Sequence, residues 1–328
     1  MLPVLASTLT VENHLPPDFI ARTLRQDVAT GLTAAGKWLP PRWFYDDRGS
    51  ELFDQITRLP EYYPTRAERE ILLAAAGEIT AAAQADTLVE LGAGSAEKTR
   101  LLLDAGGLET YVPVDVSDAA LRTAATGLLW EYPGLAVHAV VADFERHLDL
   151  LPSAGQRMVM LLGGTIGNLV PEDRTRFLAA VRAALRPGET FLLGTDLVKS
   201  PDVLVPAYDD AAGVTADFNR NVLRVLNREL GADFDPDAFD HVAIWDAEHE
   251  WIEMRLRSRH EQRAQIPALA LEVVLARGEE IRTEISAKFR PEGIAAELRA
   301  AGFEPSGWWT DAAGRFGLSL ATAVSGRA

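Results

Sequence analysis

The residues Thr87 to Lys98, read as TLVELGAGSAEK, join an apolar run to an acid and a Gly-x-Gly. That pattern suits a buried strand turning at its carboxyl end around a nucleotide-bearing ligand, with Gly92 and Gly94 keeping side chains out of the turn. An ordinary strand-to-helix loop would read the same way if nothing else supported it. Two further acids do. Asp115 closes the apolar run Tyr111 to Val116 and lies 21 residues after Gly94, near the roughly 20-residue spacing at which a ribose-binding acid is expected. Asp143 closes the run from Val137, and the next residue, Phe144, is an aromatic able to cover a purine.

Nicotinamide dinucleotides and S-adenosylmethionine both bind at such turns, and the turn itself separates them. A diphosphate calls for a small residue three positions after the second glycine so that helix amides can approach it. Here that position is Glu97, a carboxylate that repels phosphate and tolerates a cationic sulfonium. Glu90, just before the turn, is a further partner for the methionine part of such a ligand. S-adenosylmethionine is therefore expected, leaving as S-adenosylhomocysteine, and a dehydrogenase is disfavoured.

A fourth run opens into Gly163-Gly-Thr-Ile-Gly-Asn168. The Asn168 carbonyl suits an amine N–H, and an amine held that way can aim its lone pair at a methyl group, which is catalysis by orientation. The bland alternative is that Asn168 caps the helix beginning near Pro171.

These motifs need a frame. Between residues 85 and 198 strands at 87–91, 111–116, 137–142, 158–163 and 190–196 alternate with helical stretches such as 118–132 and 171–185, the order of a parallel sheet covered on both faces. After Asp196 comes a helical region to about Leu230. Alternating segments at 241–245, 251–259, 268–277 and 280–289 then suggest an antiparallel meander. A helix at 292–301 and a closing hairpin, 307–310 with 316–322, complete the chain. The fold class is α/β: a Rossmann-like class I methyltransferase core with a closing antiparallel hairpin, plus a second α+β domain. Residues 66–198 and 287–328 are assigned to the core, 17–65 and 199–286 to the substrate-binding domain, and 1–16 to a flexible amino terminus.

Composition bounds the chemistry. The 328 residues carry 32 Lys plus Arg against 48 Asp plus Glu, a formal charge of −16, so a nucleic-acid substrate is repelled. With no cysteine in the chain, disulfides, thiolate zinc sites and iron–sulfur radical chemistry are excluded. The six histidines show no helical ligand pair, so no metal is expected. No apolar run approaches 18 residues, and no charged leader precedes the short apolar start, so a cytoplasmic protein without a membrane segment is expected.

Together the motifs resemble the histidine-specific, S-adenosylmethionine-dependent methyltransferases of ergothioneine biosynthesis, which trimethylate the α-amine of histidine to hercynine. The likeness spans about residues 20 to 322. It is carried by 39–45 (LPPRWFY), 52–66 (LFDQITRLPEYYPTR), 163–168 (GGTIGN), 208–221 (YDDAAGVTADFNRN) and 283–289 (TEISAKF). The resemblance implies that Gly92, Lys98, Asp115, Asp143 and Phe144 bind the cofactor, with Asp115 on the ribose, Asp143 and Phe144 on adenine, and Lys98 on the carboxylate. It implies that Asn168 and Tyr208 hold the amino-acid head group, with Tyr45 near the amine as base or orienting group. Tyr62, Glu284 and Ser286 are implied to read the imidazole, with Met254 beside the ring. Glu284 and Ser286 are two apart on an expected strand and so share a face. A ring with two nitrogens satisfies both, whereas an indole does not. The implied substrate is L-histidine and the implied state a monomer. The rivals are an α-N-methyltransferase for tryptophan or tyrosine and a non-catalytic S-adenosylmethionine-binding module.

Overall fold

The computed structural model describes residues 8–94 and 96–325. It divides into two compact units, one of Met1–Leu15, Arg66–Leu197 and Phe289–Ala328, the other of Pro16–Thr65 and Val198–Lys288.

The first unit is built on one eight-stranded sheet. Its spatial order is Thr8–Asn13, Ala136–Val141, Thr110–Asp115, Thr87–Leu91, Arg157–Leu161, Thr190–Asp196, Phe316–Ala323, Phe303–Thr310. The first six strands run parallel, and the last two form an antiparallel hairpin docked on Thr190–Asp196. Thr87–Leu91 and Arg157–Leu161 are buried at every residue, as their nearly continuous apolar sequence requires in a sheet covered on both faces. Helix Asp118–Glu131 is capped by the Ser117 hydroxyl, which accepts from the Ala120 amide. It turns Leu121, Ala124, Ala125 and Leu128 inward at helical spacing. Helix Pro171–Ala184 starts on a proline followed by Glu172 and Asp173, favourable at a positive helix end.

Strand Thr8–Asn13 corrects the expectation of a flexible tail over 1–16. It pairs in parallel with Ala136–Val141 along its whole length. Val11 and Leu15 pack against a buried cluster of Ala93, Leu121, Ala139 and Val141. Residues 1–7 lie outside the described part of the chain. No helix among the described residues is long and apolar enough to cross a membrane.

The second unit carries a four-stranded sheet ordered Lys37–Trp38, Glu280–Ala287, Trp251–Ser258, Phe239–Asp246. The short first strand is parallel to its neighbour and the other pairings are antiparallel. Helix Val214–Leu230 lies between left-handed Gly213 and Gly231 and buries Phe218, Val222, Leu226 and Leu230. The expected meander is one segment too long. Residues within 268–277 instead form Leu271–Leu275, which pairs with Gln262–Ile266 in a separate hairpin. Gln262–Ile266 was not expected as a strand, because its buried residues are only Ala264 and Ile266 among polar neighbours.

Candidate active site

In the first unit the sheet reverses its strand order beside Thr87–Leu91, and open α/β sheets bind ligands beyond the strand ends at such a point. Gly92 there has φ of +74°, a conformation that favours glycine, and a Cβ on it would stand 3.4 Å from the Phe144 ring. Asp115 ends the neighbouring strand. Its Oδ1 accepts from the Ser117 amide at 3.0 Å and its Oδ2 from the Gly94 amide at 3.5 Å. Loss of water holds its pKa above the usual carboxylate value, while those amides oppose the shift. Asp143 is buried and accepts from the Glu145 amide at 3.0 Å, with Arg146 3.5 Å away. Phe144 meets Phe177 edge-on at 6.1 Å.

Lys98, in the first turn of helix Glu97–Asp104, forms an ion pair with Glu68. The Glu68 carboxylate, fully buried, also accepts from the Gly163 amide at 2.8 and 3.0 Å. Glu68 thus ties the lysine to the start of the glycine loop. A glycine is needed opposite it, because a Cβ on Gly194 would fall 2.3 Å from its Oε1. The loop ends in the 3-10 turn Thr165–Asn168, and the following helix is capped at Val170 without a side-chain bond, so Asn168 is not its cap. Glu90 points away from the ligand role considered above. It is buried and accepts from Thr99 Oγ1 and Tyr111 Oη, both at 2.5 Å, and burial pushes its pKa up to about 7 against those bonds.

In the second unit the aromatic segment 41–45 is held by polar contacts from other parts of the chain. Asp46 caps helix Asp47–Ile56 through the Gly49 amide at 2.8 Å and accepts from Asn221 Nδ2 and Arg228, each at 2.7 Å. The close fit needs Gly49, since a Cβ there would sit 1.6 Å from the Phe44 carbonyl oxygen. Tyr45 meets Phe53 and Phe218 edge-on at 5.5 Å. The contacts continue from Phe53 to Tyr62 at 6.0 Å and from Tyr62 to Tyr208 at 6.4 Å. Tyr45 is 51% exposed, yet loss of water, the Glu284 carboxylate and the Tyr208 phenol, in that order, hold its pKa well above that of an ordinary phenol. With the ring half open, the Glu284 charge is the firmer cause, and Tyr45 stays protonated at neutral pH.

Strand Glu280–Ala287 supplies the polar end of this cluster. Glu284 pairs in register with Met254 and Ser286 with Ile252, so these four side chains share one face. Tyr208 Oη and Ser286 Oγ are 2.8 Å apart. The Tyr208 carbonyl receives His241 Nε2 at 2.7 Å, and His241 Nδ1 accepts from Asn219 Nδ2 at 2.8 Å. Asn219 Oδ1 in turn accepts from Thr283 on the opposite face of the strand. Burial lowers the His241 pKa, which keeps the ring neutral and this chain of bonds fixed.

The geometry therefore gathers Gly92, Lys98, Asp115, Asp143, Phe144 and Asn168 in one unit and Tyr45, Tyr62, Tyr208, Met254, Glu284 and Ser286 in the other. Sequence reasoning missed Glu68, Asp46 with Asn221, and the His241 network. Glu68 reaches a lysine 30 residues away and an amide 95 residues away, and no local pattern signals that. Lys288, discussed below, did carry a signal, since it continues the alternation of Glu284 and Ser286.

The parallel sheet with a turn at its first central strand and an antiparallel hairpin closing one edge defines a class I S-adenosylmethionine-dependent methyltransferase. A family profile described as histidine-specific methyltransferase, SAM-dependent, matches residues 24–323. The chain belongs to this family. It is 58% identical over 318 residues to histidine N-alpha-methyltransferase of Mycolicibacterium smegmatis, covering 96% of this chain and 99% of that protein. It is 56% identical over 317 residues to the protein of the same description in Mycobacterium tuberculosis, covering 95% and 99%. Ergothioneine biosynthesis protein 1 of Schizosaccharomyces pombe is 30% identical over 224 residues, 63% of this chain and 29% of that protein.

Proposed function

We propose that this protein transfers three methyl groups from S-adenosylmethionine to the α-amino nitrogen of L-histidine, giving hercynine for ergothioneine biosynthesis. The observation that carries the reading to histidine is the pairing of Glu284 and Ser286 on one strand face beside Met254 and Tyr208, together with the near full-length likeness to two histidine N-alpha-methyltransferases.

S-adenosylmethionine supplies a methyl group on a sulfonium centre and departs as S-adenosylhomocysteine. The first unit fits such a group: Gly92 leaves its backbone bare, Asp115 offers a carboxylate for ribose hydroxyls, Asp143 and Phe144 take the adenine, and Lys98 meets the carboxylate. Asn168 and Tyr208 hold the substrate head group, Asn168 accepting an amine N–H so that the nitrogen lone pair is aimed. Glu284 accepts from one ring nitrogen and Ser286 bonds the other. A side chain lacking either partner leaves a buried polar group unpaired, which is the strongest form of discrimination available to such a pocket. Tyr45, protonated at neutral pH, orients the amine and passes no proton as a base, so the amine's protons leave through water. Incubation of the purified protein with histidine and S-adenosylmethionine tests this. Three S-adenosylhomocysteine per histidine and a product heavier by three methyl groups are expected. No transfer to histidine, or a product that stops at one methyl group, would contradict the reading.

A further inference from the structure

The ammonium of Lys288 is used by none of the roles above, although it is 4% exposed and reaches two of the residues assigned to the substrate. Its Nζ donates to Ser286 Oγ and to Tyr208 Oη, each at 2.8 Å, and lies 4.6 Å from the Tyr208 ring centre. The backbone of Lys288 is anchored by its amide to the Glu250 carbonyl at 2.8 Å. Because Tyr208 Oη and Ser286 Oγ are themselves 2.8 Å apart, the three groups form a closed triangle of hydrogen bonds.

Relative acidity sets the direction of that triangle, since either hydroxyl could donate across the 2.8 Å contact. A hydroxyl has one proton and two lone pairs. The phenol is the stronger acid of the two hydroxyls, and a cation on its oxygen strengthens it further, so Tyr208 donates to Ser286. Lys288 occupies the second lone pair of the serine. Ser286 then has nothing left to offer except its proton.

We propose that Lys288 is a positioning residue for substrate recognition: by filling the acceptor capacity of Ser286 it makes that serine an obligate donor, so the pocket takes a ring with one N–H for Glu284 and one bare nitrogen for Ser286. This inference rests on the histidine reading above and deepens it, since the side chain so described is neutral imidazole in a single tautomer. Without the lysine, Ser286 could turn its proton elsewhere and accept as readily as donate, and the directed bond to the ring would be lost.

The test is a double-mutant cycle on histidine affinity, measured by calorimetry with S-adenosylhomocysteine present. Histidine binding by the unaltered protein is measured first, and its absence would refute the histidine reading itself. Lys288→Met is expected to weaken histidine binding by roughly tenfold, the worth of one directed hydrogen bond. In a Ser286→Ala background the same substitution is expected to cost less than about twofold, because the lysine acts through the serine. Affinity for S-adenosylhomocysteine alone should not change. Lys288→Gln, one atom shorter but still carrying an N–H donor, is read in parallel and should retain more histidine affinity than the methionine variant. Equal losses with and without Ser286, or no loss in the parent background, would overturn the proposal. Failure of both variants to bind S-adenosylhomocysteine would also overturn it, by showing that Lys288 holds the fold instead.

Discussion

Replacing Lys98 with methionine is expected to damage the protein in two separable ways. Its ammonium is the charged partner of Glu68, whose carboxylate is fully buried while the lysine side chain is 25% exposed. Removing one member of a buried pair typically costs about 3–5 kcal/mol, because the remaining charge is left without compensation. The Gly163 amide still donates to Glu68, and water can reach the lysine side of the pair, so about 3 kcal/mol is expected here. For a chain of this size that corresponds to a fall in Tm of roughly 6–12 °C. Adding Glu68→Gln removes the stranded charge but keeps a carbonyl for Gly163, and should return about 2 kcal/mol. Affinity for S-adenosylmethionine should not return with it, since the cation proposed for its carboxylate is still missing. Thermal unfolding and cofactor titration of the parent, the single variant and the double variant separate the two effects. A Lys98→Met protein within about 1 kcal/mol of the parent, or a double variant no more stable than the single one, would refute the reasoning.

Three other substitutions have defined outcomes. Glu90 has its folded pKa raised to about 7 by burial, so the native state binds its proton more tightly than the unfolded chain, and stability falls as pH rises from about 4.5 to 7. Glu90→Gln should therefore gain on the parent by roughly 3 kcal/mol between pH 5 and pH 8, and parallel melting curves across that range would contradict this. Gly49→Ala drives a Cβ against the Phe44 carbonyl and should cost about 2 kcal/mol or more by urea unfolding, with reduced turnover because Tyr45 follows Phe44; an unchanged midpoint would refute the close fit. Tyr45→Phe should lower kcat by about tenfold or less without changing the shape of the pH–rate profile. A loss of roughly a hundredfold or more, with an altered limb, would point to the general-base role instead.

The parts of this molecule that were legible in its sequence are those whose signal is local. Thr87–Leu91 with its glycine turn, the acids ending the next two strands, and the alternation of Glu284 and Ser286 all lie within a few residues of the feature they specify. Strand Thr8–Asn13 was missed because its residues form no apolar run, and its order comes from a partner more than a hundred residues away. Gln262–Ile266 was missed for the same reason, its two buried residues, Ala264 and Ile266, having meaning only against their partners Val273 and Leu271. Lys288 stood in plain view on the alternating face, but its effect depends on Tyr208, 80 residues earlier. Glu68 reads as one more polar residue of an amphipathic helix until the fold brings Gly163 and Lys98 to it.

Recognition of histidine by the Glu284 and Ser286 face is most directly tested by competition. The purified protein and its Glu284→Ala variant are each given S-adenosylmethionine with an equimolar mixture of the twenty amino acids, and methylated products are followed by mass. The expected result is histidine gaining up to three methyl groups as the sole product of the parent protein, and a variant in which that preference falls by tenfold or more. Methylation of another amino acid by the parent, or an undiminished preference for histidine in the variant, would contradict it.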